Sequence, residues 1–187
     1  GGRIGEPGVR FKTAAIGLVA PVLLISGGCA GGRDAVIAAR IHELRAEAPP
    51  EPAHFIHCYN HGCRERADTG LTPGEWATVA GLFEPQPETS SEERERIGAA
   101  VALMERTVGA KTGTSRDRGG TYPGMFSDFQ LDCADETVNV STYLTLLDEA
   151  DLLRFHRPAG RVHRGTFFRG LPHMSPVIAD RETHTLW

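Results

Sequence analysis

The sequence predicts an α+β domain in which helices come first and an antiparallel sheet comes last. Apolar residues recur at helical spacing through the middle of the chain, and short β-prone segments separated by Gly and Pro follow residue 154. The 187 residues suffice for one domain of ordinary size. We expect residues 1–29 to be a signal segment, residues 30–53 a helix and linker, and residues 54–187 a single domain that is incomplete at its C-terminus.

Composition and charge argue against two broad classes of function. The formal net charge of −4 is unusual for a nucleic-acid-binding protein, which commonly carries a basic surplus. No apolar run in the sequence reaches the roughly 18 residues that a membrane-spanning helix needs. We therefore expect neither a nucleic-acid partner nor a multi-pass membrane protein.

The N-terminal residues have the three parts of a secretory signal. A basic flank at residues 10–12 precedes an uncharged stretch at 13–26, and small residues lead from there to Cys29. These small residues resemble the lipobox of bacterial lipoproteins, although Ser26 stands where that family has leucine. The resemblance implies a lipidated Cys29 as the contact with a membrane, and a periplasmic or membrane-anchored location. A plain cleaved signal and a buried apolar helix are the alternatives.

Three cysteines remain after Cys29, and export would permit disulfides. Because three is an odd number, one of Cys58, Cys63 and Cys133 should stay outside an internal disulfide. The four residues between Cys58 and Cys63 include the turn formers Asn and Gly, which predicts a hairpin closed by a disulfide. Cys133 would then keep its thiol.

The same hairpin holds three imidazoles and two thiols within residues 54–63, a density that zinc or copper could use. The spacing is not that of known zinc modules, however, and His54 and His57 would face opposite sides of a strand. A disulfide-closed hairpin, a metal-binding hairpin and a set of scattered surface residues therefore all stay open here. We expect no cofactor.

Helical periodicity covers three segments in the middle of the chain. Residues 33–47 predict an amphipathic helix, while capping boxes at residues 72–75 and 90–93 predict the starts of two more. The apolar stripes that follow both boxes are typical of a core. Residues 111–125 have no periodicity and predict a long loop of the kind that often borders a functional site.

Cys133 is the predicted first residue of another helix, because Asp132 is a favourable N-cap. A thiol at this position lies at the positive end of the helix dipole, which favours the nucleophilic thiolate. The backbone N–H groups of the first turn could also bind an oxyanion. Asp132, Asp135 and Glu136 oppose the thiolate, because nearby carboxylates raise the pKa of a thiol, so a partner imidazolium would be needed.

Short strands are predicted after this helix, at residues 154–156, 162–168 and 174–179, with a fourth beginning at 185–187. His173 opens the third strand. A cysteine at a helix start followed by a histidine at a strand start resembles the papain/transglutaminase-like core. The sequence around Cys133 and His173 also resembles that of an uncharacterised family of bacterial exported proteins.

The papain/transglutaminase-like resemblance implies that Cys133 attacks a carbonyl and that His173 takes its proton. It places a third, orienting group on the next strand, beyond Trp187. Gln130 is a further candidate, as an oxyanion donor. Competitors of His173 for the role of base are His156, His163 and His184.

The resulting hypothesis is an exported thiol hydrolase or acyltransferase that acts on amide bonds, in a peptide or a cell-wall crosslink. The alternative is a non-catalytic envelope lipoprotein that binds a partner or metal through residues 54–63. A third possibility is a structural Cys133, either buried as a small apolar residue or paired with Cys58 or Cys63.

Overall fold

The computed structural model describes residues 49–118, 127–164 and 173–187, together with Gly1, Ala39 and Glu43. The signal segment with Cys29 lies outside the described residues. So does the predicted helix at 33–47, apart from Ala39 and Glu43, which are helical. The elements in chain order are β1 (Phe55–Tyr59), β2 (Glu65–Thr69), α1 (Pro73–Gly81), α2 (Ser90–Thr112), a 3-10 turn (Thr114–Arg116), α3 (Cys133–Glu149), β3 (His156–Arg164) and β4 (His173–Asp180).

This mixed α+β architecture confirms the predicted class, while the papain/transglutaminase-like arrangement stays a prediction. The described residues form two antiparallel sheets of two strands each, β1–β2 and β3–β4. The first hairpin precedes the helices, so the order of elements is hairpin, helices, hairpin. The chain also returns along β4 at its end, where Ile178 and Trp187 exchange backbone hydrogen bonds of 3.1 and 2.9 Å.

The helix boundaries follow from local capping. Thr72 caps α1 in the predicted box, with Glu75 as its reciprocal partner. The predicted box at 90–93 is wrong by one residue, because the side chain of Thr89 accepts the N–H of Glu92 and makes Thr89 the N-cap of α2. The predicted loop starts later than residue 111, since α2 continues to a left-handed C-cap at Gly113, whose φ is 86°.

The main core lies between α2, α3 and the two hairpins, as the apolar stripes predicted. Tyr143 packs edge-on against Phe55, with ring centroids 5.9 Å apart, and so joins α3 to β1. None of the described helices has the length and apolar character that crossing a bilayer requires. The buried residues of this core are Phe55, Leu71, Val79, Phe83, Ile97, Ala100, Met104, Val108, Tyr143, Leu144, Leu146, Leu147, Leu153 and Ile178.

A buried carboxylate on α2 holds the start of β3. Glu93 is fully buried, and its two oxygens accept the backbone N–H groups of Arg154, Phe155 and His156 at 2.6 to 3.0 Å. The imidazole Nδ1 of His156, also fully buried, lies 2.8 Å from the same carboxylate. Because a buried charge is stable only when it is hydrogen-bonded or paired, this set of donors explains why Glu93 can lie in the core.

Candidate functional site at the start of helix α3

Helix α3 begins at Cys133, as predicted, and Asp132 is its N-cap. The Asp132 carboxylate accepts the N–H groups of Ala134 and Asp135, each at 3.0 Å. The Asp135 carboxylate in turn accepts the N–H of Asp132 at 3.1 Å. The expectation that first-turn N–H groups are open to an oxyanion is therefore wrong for Ala134 and Asp135, because the helix caps itself.

The disulfide between Cys58 and Cys63 is present, with Cα atoms 4.6 Å apart, which confirms the predicted closed hairpin. Four consecutive residues at its turn have a left-handed backbone: the φ values of Asn60, His61, Gly62 and Cys63 are 61°, 65°, 73° and 59°. This conformation is unfavourable for residues that carry a Cβ atom. The turn therefore depends on support from its surroundings.

That support comes from the first turn of α3. The two oxygens of Asp135 accept the N–H groups of His61 at 2.8 Å and Cys63 at 2.6 Å. Asp132 accepts the N–H of Gly62 at 3.1 Å. Successive N–H groups in such a turn form a concave anion site, and here the anions are the chain's own carboxylates. The disulfide turn is thus docked directly on the residues that flank Cys133.

Burial raises the pKa of Asp135 from 3.8 to about 6, and the neighbouring charge of Asp132 acts in the same direction. The backbone N–H groups that Asp135 accepts oppose this rise but do not cancel it. The pKa of about 6 therefore reflects the complete burial of this carboxyl, which outweighs its hydrogen bonds to the backbone.

A small apolar cluster lies beside the docked turn, and we call it the cysteine cluster. Its members in contact are the buried residues Cys58, Cys63, Ala134, Val138 and Met174, with the half-buried Ile56 and Cys133 packed against them. Of the described cysteines, Cys133 is the one outside a disulfide. The predicted nucleophile therefore lies in the same contact group as both predicted disulfide cysteines.

His173 opens β4, as predicted, and its exposed side chain precedes the buried Met174 of the cysteine cluster. It also acts on α3. Partial burial and Asp117 raise the pKa of Glu136, whereas the positive charge that His173 can carry lowers it. Because Glu136 follows Cys133 by three residues, both carry side chains on neighbouring positions of one helix face.

The three competing histidines occupy different places. His156 is fully buried, with Nδ1 bound to Glu93 and Nε2 3.4 Å from the Nη1 of Arg94. His184 lies in the turn after β4, at the opposite end of the strand from His173. His163 pairs with Met174 across the β3–β4 ladder, so its side chain leaves the hairpin on the face that carries Met174. His163 is therefore the one competitor near the cysteine cluster.

Gln130 is buried, and its side-chain amide binds the backbone that follows α2. Its Oε1 accepts the N–H of Arg118 at 3.2 Å, and its Nε2 lies 3.4 Å from the carbonyl of Arg116. Its own carbonyl accepts the N–H of Asn60 at 2.8 Å, which adds a further tie to the disulfide turn. These contacts position the loop before Cys133, and the role of Gln130 as an oxyanion donor stays a prediction.

The side chains of the β1 hairpin are engaged within the fold. His57 is buried, with Nε2 3.1 Å from Thr114 Oγ1 and Nδ1 3.4 Å from the Tyr143 hydroxyl; burial lowers its pKa to about 4. His54 pairs with Asp68 at 2.6 Å. The disulfide leaves neither Cys58 nor Cys63 as a thiolate ligand. Within the described part of the chain, no group of three or more His, Cys, Asp or Glu residues is arranged to hold a metal.

Glu105 on α2 is a residue that the sequence analysis missed. Its Oε1 is buried and has no hydrogen-bond partner among the described residues. Burial raises the pKa of Glu105 to about 7, and the charges of Glu136 and Asp117 add to the effect. Nothing in the sequence pairs residue 105 with residue 136, because the proximity arises only when α2 packs against α3.

In comparisons with known proteins, this chain matches no family model, no curated protein and no solved structure. The resemblances to the papain/transglutaminase-like core and to exported bacterial proteins therefore stay predictions. The Cys58–Cys63 disulfide is compatible with an exported protein.

Proposed function

We propose that this protein is an exported thiol hydrolase or acyltransferase, periplasmic or lipid-anchored through Cys29, that acts on amide bonds of a peptide or cell-wall crosslink. Cys133 is the nucleophile and His173 the general base. The observation that carries the proposal is that Cys133, at the start of α3, packs against the cluster that contains Met174, the residue that follows His173 on β4. The positive charge that His173 can carry also lowers the pKa of Glu136, in the first turn of the same helix.

In this proposal, the imidazole of His173 takes the proton of the Cys133 thiol, and Sγ attacks the carbonyl carbon of the substrate. The amide C–N bond then breaks, the leaving amine takes the proton from the imidazolium, and a thioester remains on Cys133. Attack by water on the thioester gives hydrolysis, whereas attack by a second amine gives acyl transfer. Both routes regenerate the thiol.

The carboxylates around Cys133 decide how strongly this mechanism needs His173. Negative charges on Asp132, Asp135 and Glu136 disfavour the thiolate. The raised pKa values of Asp135 and Glu136 lessen that opposition, because a larger share of each carboxyl is neutral. An imidazolium on the exposed side of the same turn would tip the balance towards the thiolate.

The rate at which iodoacetamide alkylates Cys133 tests the proposal. We expect His173→Ala to slow alkylation at pH 7 at least tenfold, measured site by site with mass spectrometry. His184→Ala is the matched control, because it removes an imidazole from the far end of β4 and should leave the rate unchanged.

His163→Ala separates the two nearby imidazoles. A loss of rate in this variant with none in His173→Ala would transfer the role of base to His163. An ordinary alkylation rate that none of the three substitutions changes would overturn the thiol-enzyme proposal itself.

A further inference from the structure

The cysteine cluster brings a thiol and a disulfide into one contact group. Cys133 packs against the cluster that contains Cys58 and Cys63, although 70 residues separate Cys63 from Cys133 along the chain. A thiol beside a disulfide is the arrangement that thiol–disulfide exchange requires, because the attacking sulfur must reach a sulfur of the bridge.

The hydrogen bonds to α3 indicate which cysteine of the disulfide lies level with Cys133. The N–H of Cys63 donates to Asp135, two residues after Cys133. The backbone of Cys58 is instead bound to the Asn139 amide, at 2.7 and 2.9 Å, six residues after Cys133. At a rise of about 1.5 Å per residue, the Cys58 anchor lies roughly 6 Å further along the helix than the Cys63 anchor. Cys63 is therefore the bridge cysteine held at the level of Cys133.

The backbone of the disulfide turn favours opening of the bridge. Three residues of this turn carry a Cβ atom and have a left-handed backbone: Asn60 and His61, which lie between the two bonded cysteines, and Cys63 itself. Once the Cys58–Cys63 bond breaks, the covalent closure of this turn is lost and its backbone can return towards ordinary φ values.

We propose that Cys133 exchanges with the Cys58–Cys63 disulfide. The Cys133 thiol loses its proton to solvent base, and its Sγ attacks the Sγ of Cys63. The Cys58–Cys63 bond breaks, its electron pair goes to the Sγ of Cys58, and that thiolate takes a proton. One thiol and one disulfide are present before and after, so the step needs neither oxidant nor reductant.

Exchange replaces a reactive thiol by a Cys63–Cys133 disulfide and therefore switches Cys133 off as a nucleophile. This consequence rests on the proposed function, but the exchange itself does not. The two are tested separately, because pairing of Cys63 with Cys133 requires their proximity and does not require His173.

The 187-residue chain with Cys29→Ser provides the background for the test, since this substitution removes the fourth cysteine. In that background Cys58→Ser leaves Cys63 and Cys133 as thiols, and Cys63→Ser leaves Cys58 and Cys133. Both are incubated under native conditions with oxidised glutathione, quenched in acid and mapped as unreduced peptides. We expect the Cys63–Cys133 disulfide to form at least tenfold faster than the Cys58–Cys133 disulfide.

A Cys58→Ser variant that gives only glutathione adducts would overturn the proposal, and equal rates in the two variants would overturn the assignment of Cys63. If either variant fails to fold, the parent with all three cysteines decides the question. Held at pH 8.5, quenched, alkylated and mapped, it should contain a fraction with Cys58 alkylated and Cys63 joined to Cys133. Finding only the Cys58–Cys63 disulfide, with Cys133 alkylated, would contradict exchange.

Discussion

Two buried carboxylates each fasten a hairpin to a helix, and they differ in what lies beside them. Glu93 holds the start of β3 through three backbone N–H groups and the imidazole of His156. Asp135 holds the disulfide turn through backbone N–H groups, and its ionisable neighbour is a second carboxylate, Asp132. One anchor thus has a partner that can carry a positive charge, whereas the other has a neighbour of its own sign.

The surroundings of Glu93 favour stability, whereas those of Asp135 favour chemical reactivity. A carboxylate beside an imidazole in a dry core is suited to holding two elements together. Burial raises the pKa values of Asp135, Glu136 and Glu105, and the charges of neighbouring carboxylates add to each rise. These three gather around the first turn of α3, next to Cys133. Groups displaced from their ordinary pKa are typical of functional sites, which supports the choice of this end of the molecule as the site.

The largest effect is expected at the Glu93 anchor. Glu93→Ala leaves three backbone N–H groups and the buried imidazole of His156 without their acceptor, and we expect a loss of about 3–5 kcal/mol in the free energy of unfolding. Urea denaturation followed by circular dichroism measures the loss. Glu95→Ala, at an exposed position on the same helix, should change the value by less than about 0.5 kcal/mol. Similar values for the two variants would contradict a structural role for Glu93.

The Asp135 anchor should cost less to weaken and should depend on pH. Asp135→Asn replaces one acceptor oxygen by an amino group that faces a backbone N–H, which costs about 1–3 kcal/mol at pH 7. The pKa of Asp135 is higher in the folded protein than its ordinary 3.8, so the wild type gains stability as pH falls from about 6 towards 4. Asn cannot titrate, and the difference between wild type and variant should therefore widen over that range.

Urea denaturation at pH 7 and pH 4.5 measures this widening, with Asp128→Asn as the exposed control. A difference that narrows in acid would mean that Asp135 is ionised more readily in the folded protein than in the unfolded chain. In that event the contrast between the two anchors would disappear.

Local signals were enough to predict much of the site. Asp132 as an N-cap, Cys133 as the first helical residue and the Cys58–Cys63 hairpin all follow from residues within a few positions of each other. Such features depend on backbone capping and turn formation, which neighbours in the sequence control. The same reasoning gave the α+β class, because periodicity is a local property.

Features that depend on packing could not be predicted in this way. Residues 90–93 indicate a capping box and nothing more about Glu93, yet its carboxylate is buried because its oxygens accept N–H groups of a segment 61 to 63 residues later. The oxyanion expectation was wrong for a related reason. The carboxylate of the N-cap Asp132 itself accepts the N–H groups of Ala134 and Asp135, so these groups are not available to an oxyanion.

The smallest effect is expected at Glu105. Its Oε1 is buried without a hydrogen-bond partner among the described residues, in contrast to the bonded carboxylates of Glu93 and Asp135. Its folded-state pKa of about 7 means that ionisation above this pH costs stability, and the cost disappears as pH falls towards 4.5. Glu105→Gln keeps the shape and removes the charge, so we expect about 1–2 kcal/mol of added stability at pH 8 and almost none at pH 4.5. Denaturation at both pH values measures this, with Glu95→Gln as the control. Because the Glu105 carboxyl is mostly neutral below its pKa of about 7, the substitution should leave the alkylation rate of Cys133 at pH 6 unchanged. A variant that is no more stable than the wild type at pH 8 would contradict the raised pKa of Glu105.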